Sequence, residues 1–467
     1  MKHLLIAFSW SISNIGDIGI TPGLLTLIKE KNPKRRAVVL ALHREGDSAI
    51  PYLQDYLPRY LPGCRVVPNP IRPLLHSDAA GKSHAERGIE PGAWQAFQER
   101  WGPYRLAAFD RGCLAARTAQ AMADDILQRL PGELYAQMQK VNPVAAEAFA
   151  NAGFVVFNSG TVLNFGRAGK RRFWQSPFQL AMPLILARHL GIPYGINAHS
   201  FDALEWPSDL VYRPLFRDAQ FVFCRDSDSL LYLNQRNLGN SRSGFRPDST
   251  FFFRGEDEEW AADFLKRHGL KEKEFITVTI RTSAQPGPLQ GVMEPEREER
   301  HMEKLRAFIE RWTVVTGQKV LLCPEVRWEV EAAGERIFKH LSPQAKEKCV
   351  WLDHFWTTEQ AGSIYRKARI VVSMEMHSII MAFGLGTPVL HPQFSEAGRK
   401  AWMLEDIGVG DWLFDIDEME AEELLKAAFD IHENYPAAEA RVTEGMKRLH
   451  QLGSEVVDLI ETTGRWS

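Results

Sequence analysis

The stretch Ile370-Val-Val-Ser-Met-Glu-Met-His-Ser-Ile-Ile-Met-Ala-Phe-Gly-Leu-Gly-Thr-Pro-Val-Leu390 constrains the fold more than any other part of the chain. Ile370 to Val372 has the unbroken apolar character of a strand buried on both faces, as parallel sheets require. Ser373 to His377 then reads as a strand-to-helix corner, and Ser378 to Leu385 as a short apolar helix. Gly386 supplies a permissive φ at the helix end, and Thr387 to Leu390 enters the next strand. Open sheets built from such units gather ligands outside the carboxyl ends of their strands. Glu375 and His377 are the only ionisable residues between Arg369 and His391. In so apolar a setting both need partners. Two readings stand for His377: a ring satisfied by a backbone carbonyl, or a ring that faces a ligand.

The same alternation runs through most of the chain. Residues 3–9 predict a first strand, Ser11 to Gly19 a polar turn, 22–31 a helix, and Ala37 to Leu42 the next strand. The turn carries Asn14, Gly16 and Asp17 but no G-x-G-x-x-G, so it is not a dinucleotide fingerprint. Residues 43–150 read as an insertion-like excursion. It holds a short strand at Val66 to Pro68, a polar surface loop over 74–92, and helices near 93–101, 115–129 and 142–150. Its basic residues Lys82, His84, Arg87, Arg105, Arg111 and Arg117 either face a substrate or are ordinary solvated side chains.

Regular order resumes with a strand at 154–157 and the turn Asn158-Ser-Gly-Thr161, whose backbone N–H groups suit an anion or a sugar hydroxyl. A basic segment, Arg167 to Arg172, comes next, then a helix at 178–190 and a strand at 194–198. The strand Phe221 to Cys224 leads to Arg225-Asp226, and Ser227 or Asp228 is placed to cap the following helix. An arginine at a strand top beside a helix start suits a carboxylate or phosphate; the plainer reading is a brace to Asp226 or to backbone.

The charged helix 254–274 marks a boundary. Beyond it come the strand Phe275 to Arg281, a Pro/Gly-punctuated loop, a helix at 297–315, the strand Val320 to Cys323 and Pro324-Glu-Val-Arg327. A helix over 329–340, a strand near 349–352 and a helix at 358–367 precede the opening stretch, and helices at 418–431 and 436–464 follow it. The expectation is an α/β protein of two Rossmann-like domains facing a central cleft. The expected bounds are 1–255, 256–440, and a helix over 441–467 that packs back on the first domain. Asp17, Asn158, Arg225, Arg281, Glu325 and His377 would stand at the carboxyl edges of the two sheets.

Composition excludes several classes. A length of 467 residues exceeds one ordinary core, and 45% hydrophobic with 25% charged residues is the globular range. A net charge of −3 argues against bulk nucleic-acid binding but leaves room for one local cationic pocket. Cys64, Cys113, Cys224, Cys323 and Cys349 show no pairing pattern, and their odd number fits a reducing compartment. The first apolar run reads as a strand rather than a signal peptide, and no run is long enough to span a membrane, so a cytoplasmic location is expected. His43, His199 and His377 are isolated, so no metal site is expected.

Four blocks together resemble the polysaccharide pyruvyl transferase family. They are Asn14 to Asp17; Phe157 to Thr161; Cys224 to Ser229 with Leu233 and Arg246-Pro-Asp248; and Ala368 to Leu390. The resemblance implies a fold similar to the GT-B glycosyltransferases, no cofactor, and a role in polysaccharide biosynthesis. The implied activity is transfer of a pyruvyl group from phosphoenolpyruvate to two hydroxyls of a cell-surface glycan sugar. Asp17 matches the aspartate of the first block, Arg225 the arginine before the acidic residue, and His377 the histidine of the fourth block. The family usually has arginine two residues before that histidine; this chain has Glu375. Arginine offers a planar donor fork, whereas glutamate offers only acceptors and repels carboxylate and phosphate.

The implied site has His377 as general acid and Asp17 on the sugar hydroxyl, with Asn14, Asn158, Arg225, Arg281, Arg327 and Glu375 binding substrate. Its partners are phosphoenolpyruvate or another anionic donor and a carbohydrate acceptor. Two alternatives keep the fold. In one the donor is a nucleotide sugar, with Glu375 accepting from its hydroxyls and Arg225 and Arg281 on the diphosphate. In the other the protein binds without catalysing.

Overall fold

Among the described residues, apolar runs bounded by glycine, proline and small polar residues form thirteen strands in two parallel sheets, each flanked by helices. The computed structural model describes residues 2–71, 74, 92–164, 177–282 and 293–467. Lys82, His84, Arg87, the basic segment Arg167 to Arg172 and positions 283–292 of the Pro/Gly loop lie outside the described residues.

One compact unit comprises residues 1–10, 27–246 and 454–467. Its strands are β1 (His3–Ser9), β2 (Ala37–Ala41), β3 (Arg65–Val67), β4 (Ala152–Gly160), β5 (Tyr194–His199), β6 (Val222–Cys224) and β7 (Gly244–Phe245). They lie in the order β3-β2-β1-β4-β5-β6-β7, all parallel. Every residue of β1 is buried, as its unbroken apolar run requires. Leu4, Leu5, Ile6 and Phe8 each contribute roughly 1.5–3 kcal/mol by leaving water. The excursion is more helical than its sequence suggests: Ala93–Asp110, Ala116–Asp124, Leu130–Val141 and Pro143–Ala150 are helices. Gly102 breaks the first of them with a φ of 68°, and that glycine with Pro103 hid its continuation.

The second unit comprises residues 11–26 and 247–453. Its strands are β8 (Phe275–Thr279), β9 (Lys319–Leu322), β10 (Cys349–Trp351), β11 (Ile370–Ser373), β12 (Val389–Gln393) and β13 (Leu413–Asp415). Their order is β10-β9-β8-β11-β12-β13, again parallel throughout. The direction of winding reverses between β8 and β11, which makes that gap the topological switch point where such sheets bind ligands. The helices that matter here are α1 (Ile15–Lys31), α2 (Ser227–Gln235, in the first unit), α3 (Pro295–Thr316), α4 (Glu329–Arg336), α5 (Thr358–Lys367) and α6 (Met376–Gly384). Helix α3 anchors the core of this unit through the fully buried Trp312, stacked 5.6 Å from Phe429.

The largest departure from the sequence expectation is α1. It begins at Ile15 rather than near residue 22, and the expected polar turn up to Gly19 is its first turn and a half. Asn14 starts it: its Oδ1 accepts from the backbone N–H groups of Gly16 at 2.8 Å and Asp17 at 3.0 Å, a side-chain cap for donors that a helix cannot satisfy internally. The glycines that imitate a turn are a packing face. A Cβ on Gly16 would stand 2.0 Å from His377 Cβ, and one on Gly23 would stand 1.8 Å from the Ser249 carbonyl oxygen. Only a bare backbone allows that approach.

Candidate active site

The site is built from four strand ends of the second sheet, with α1 laid against them. Just past β8, Arg281 Nη1 donates to Glu375 Oε2 at 2.9 Å. Lys400 Nζ stands 3.8 Å from the same oxygen. Arg281 also lies over the Phe394 ring, 5.8 Å from its centroid. Since β8 and β11 border the switch point, this buried ion pair bridges it.

Past β9, Glu325 is fully buried. Its Oε2 accepts from the backbone N–H of Ser378 at 2.6 Å and from the Ser378 hydroxyl at 2.8 Å. Glu375, by position the cap of α6, makes no side-chain cap; Glu325 does that work from another element, placing its carboxylate at the positive end of the helix. Its other oxygen, Oε1, is 3.4 Å from His377 Nδ1. Burial pushes the Glu325 carboxyl up, but the nearby His377, aided by Lys400 and Ser378, outweighs it and holds the group at about 2. Glu329, on the first turn of α4, accepts through Oε2 from the N–H groups of Glu325 at 2.7 Å and Val326 at 3.0 Å. Burial first, then the charges of Glu375 and Glu325, raises its carboxyl well above the usual range.

His377 is not satisfied by a backbone carbonyl. That arrangement belongs to His391 on β12, whose Nδ1–H donates to the Ser373 carbonyl at 2.6 Å. His377 is 7% exposed, and its Nε2 has no hydrogen-bond partner among the described residues. The helix begins at Met376 rather than Ser378, so His377 lies in its first turn. Gly16 packs against its ring from the other side, and α1 is fixed there by the bond from Ile15 N–H to the Glu325 carbonyl at 3.0 Å.

The second unit thus brings together Asn14, Asp17, Arg281, Glu375 and His377 with Glu325. Asp17 is half-buried on the first turn of α1. Arg327 is exposed, its guanidinium 4.8 Å from the Phe355 ring centroid and its N–H bonded to the Ser13 carbonyl at 3.1 Å. Glu329, Lys400, Ser378 and His391 did not emerge from the sequence as site residues, and Glu325 emerged only as an edge residue. The pair Glu325 and Glu329, one helical turn apart after a buried strand and a proline, was the available signal.

Asn158 and Arg225 stand at the carboxyl edge of the first unit's sheet. Asn158 Oδ1 accepts from Asn197 Nδ2 at 3.2 Å, and its carbonyl accepts from Trp10 Nε1 at 3.1 Å. Arg225, 2% exposed, donates from Nε to Ser200 Oγ at 2.8 Å, and that hydroxyl donates to Asp226 Oδ2 at 2.6 Å. The cap of α2 is Asp226, accepting from Ser229 N–H at 2.7 Å, rather than Ser227 or Asp228. Arg225 is thereby braced to Asp226 through Ser200.

Comparison with known proteins fits this layout. Residues 14–391 match the family model for polysaccharide pyruvyl transferase. The chain belongs to that family. The match begins at Asn14, the cap of α1, and ends at His391 inside β12, so it takes in the ends of β8, β9 and β11. No curated protein matches the sequence. Among solved structures, the UDP-GlcNAc 2-epimerase from Neisseria meningitidis bound to UDP-GlcNAc is similar at a TM-score of 0.52 and 10% identity, covering 99% of this chain and 100% of that one. The UDP-GlcNAc 2-epimerase from Methanocaldococcus jannaschii gives 0.52 and 10%, with 92% of each chain covered. Medicago truncatula UGT71G1 complexed with UDP-glucose gives 0.50 and 11%, with 99% of each chain covered. At such identities the likeness establishes the fold, a GT-B-like pair of Rossmann-like units. As a member of the polysaccharide pyruvyl transferase family on that fold, the chain is a transferase-type enzyme. Among the described residues no helix is long and apolar enough to cross a membrane.

Proposed function

We propose that this enzyme acts on a nucleotide sugar, with the donor held at the switch point of the second sheet and His377 moving the proton. The observation that carries this reading is the Arg281–Glu375 pair, with Lys400 beside it. A carboxylate buried among two cations neutralises them towards an incoming anion while offering acceptors to hydroxyl groups. Ribose and sugar hydroxyls supply such donors. The solved structures of this fold that hold UDP-GlcNAc or UDP-glucose support the same donor class. Asp17 and His377 would share proton transfer. Asn14 has its oxygen committed to the α1 cap, which makes its part structural. Arg327, exposed in the second unit, is a candidate contact for the rest of the substrate; Asn158 and Arg225 are buried in the first unit, where Arg225 is braced to Asp226 through Ser200.

A second reading, pyruvyl transfer from phosphoenolpyruvate to a carbohydrate, is favoured by the family match. It needs a cationic grip that Glu375 opposes. Thermal denaturation with UDP, GDP and CMP sugars against phosphoenolpyruvate separates the two. A donor at a hundredfold its Kd stabilises by about 2.7 kcal/mol. We expect that from one nucleotide sugar and none from phosphoenolpyruvate. Stabilisation by phosphoenolpyruvate alone, with phosphate released in the presence of a glycan, would replace the first reading with the second.

A further inference from the structure

We infer that Glu325 is a positioning residue that holds His377 as its Nδ1–H tautomer and leaves Nε2 to exchange a proton with substrate. The inference rests on the proposed function only in giving His377 a substrate to act on; the tautomer itself is a property of the free protein.

The division of labour between the two Glu325 oxygens carries the argument. Oε2 is taken by both donors of Ser378. The Ser378 hydroxyl has one proton, and Tyr365, donating to it at 3.0 Å, directs that proton towards Glu325. Oε1 stands 3.4 Å from His377 Nδ1, an ion-pair approach short of a formed hydrogen bond, and neither atom has another partner among the described residues. An ionised carboxylate can only accept, so the nitrogen facing it must be the donor. In a neutral ring Nε2 then carries the lone pair, and that atom is buried with no partner among the described residues. A buried acceptor left open is costly unless something fills it. A substrate hydroxyl or an acidic C–H fits.

The carboxylate is not free to turn away. Its residue is held at N–H by Glu329 and at the carbonyl by Ile15. The ring is not free either, because Gly16 packs against its Cβ. The other charged groups near this cluster are Glu375, Arg281 and Lys400, which pair with one another, while Lys400 also acts on Glu325 and Glu375 on Glu329. The pattern is a carboxylate that orients an imidazole, a device that fixes which nitrogen does chemistry.

Glu325→Gln tests it without removing the α6 cap. The glutamine carbonyl stays with the two Ser378 donors, which forces its NH2 towards His377 Nδ1. A donor there demands a lone pair on Nδ1 and moves the ring proton to Nε2. In full-length protein labelled with 15N-histidine, with His377→Gln used to assign the resonance, the wild type in alkaline buffer should show Nδ1–H and a bare Nε2. The glutamine variant should show the reverse. With the substrate in hand, kcat should fall by about 10²–10⁴ with KM little changed, and Glu325→Asp should recover part of it. A wild-type ring protonated at Nε2 would overturn the inference, and so would an unchanged tautomer in folded Glu325→Gln. If the tautomer switches but no nucleotide sugar is turned over by the wild type, the positioning role stands and the proposed function fails.

Discussion

The glycine face of α1 gives a graded prediction, because Gly16, Gly19 and Gly23 meet three different obstacles on one helix. A Cβ at position 16 falls 2.0 Å from His377 Cβ and 2.3 Å from its Cγ. Carbon atoms rest about 3.5–4.0 Å apart, so α1 or α6 must retreat by roughly 1.5 Å. The obstacle is the root of a side chain and cannot swing aside. Overpacking of this kind costs about 1–3 kcal/mol, against a gain of at most about 1 kcal/mol from replacing glycine in a helix. Gly16→Ala should therefore destabilise the protein by about 2 kcal/mol, or about 4–8 °C for a unit of this size. At position 19 the nearest atom is the Met381 methyl at 3.2 Å, the end of a flexible chain, so Gly19→Ala should be neutral or slightly stabilising. At position 23 the obstacle is the Ser249 backbone carbonyl at 1.8 Å, and that variant should be the worst of the three. Calorimetry and urea denaturation of the three proteins check the order. Equal Tm values for Gly16→Ala and Gly19→Ala would refute the close approach of α1 to His377 on which the site depends.

Three further variants or conditions probe the same region. Glu375→Gln leaves Arg281 and Lys400 facing a neutral partner; breaking a buried pair from one side costs about 3–5 kcal/mol. It should lower the urea midpoint and raise affinity for inorganic phosphate, measured by calorimetry. Acid stability should fall in two steps. Burial first, with Lys400 and Arg281 adding to it against the Ser373 carbonyl, holds His391 at about 4. The unfolded chain takes up that proton from about 6.5, so the His391 contribution is lost as pH falls from there to about 4. Glu325 and Glu396, each held at about 2, contribute fully above about 4.5 and are lost below it. Raised Glu329 works in the opposite sense, losing its share as pH rises above its unfolded value. His391→Gln should flatten the upper step of a stability-against-pH series and leave the lower one. Arg297 bridges Glu396 and Asp417; Arg297→Ala should cost about 1–2 kcal/mol, given its partial exposure, and shrink the lower step as well.

What the sequence made legible were the features with a strict period or an unbroken apolar run. The strands β1, β8, β9 and β11 fall within a residue or two of expectation, because buried parallel strands leave an apolar signature that depends on little else, and β4 is found though it runs longer than its apolar core. The start of α1 was hidden because glycine at three positions of a helix is locally unfavourable; only the tertiary contacts with α6 and the Ser249 carbonyl justify it. His377 and Glu375 stood out as ionisable residues in an apolar run. Glu325 did not, since its role comes from a helix cap supplied by an element some fifty residues away, and no local pattern encodes that.

Glu375 changes what the cations at the switch point can bind. With Glu375 on Arg281 and near Lys400, the two cations are half spoken for before a ligand arrives. A carboxylate or phosphate seeking Arg281 would come within about 4 Å of the Glu375 carboxylate. At an effective dielectric near 20 that contact costs about 4 kcal/mol, close to three factors of ten in affinity. A hydroxyl donating to the same carboxylate instead gains about 1.5–3 kcal/mol, the worth of a hydrogen bond to a charged group. On the proposed reading, Glu375 at the switch point would turn a grip for anions into a seat for hydroxyls, with the Glu325–His377 pair, on its own strand ends, left unchanged.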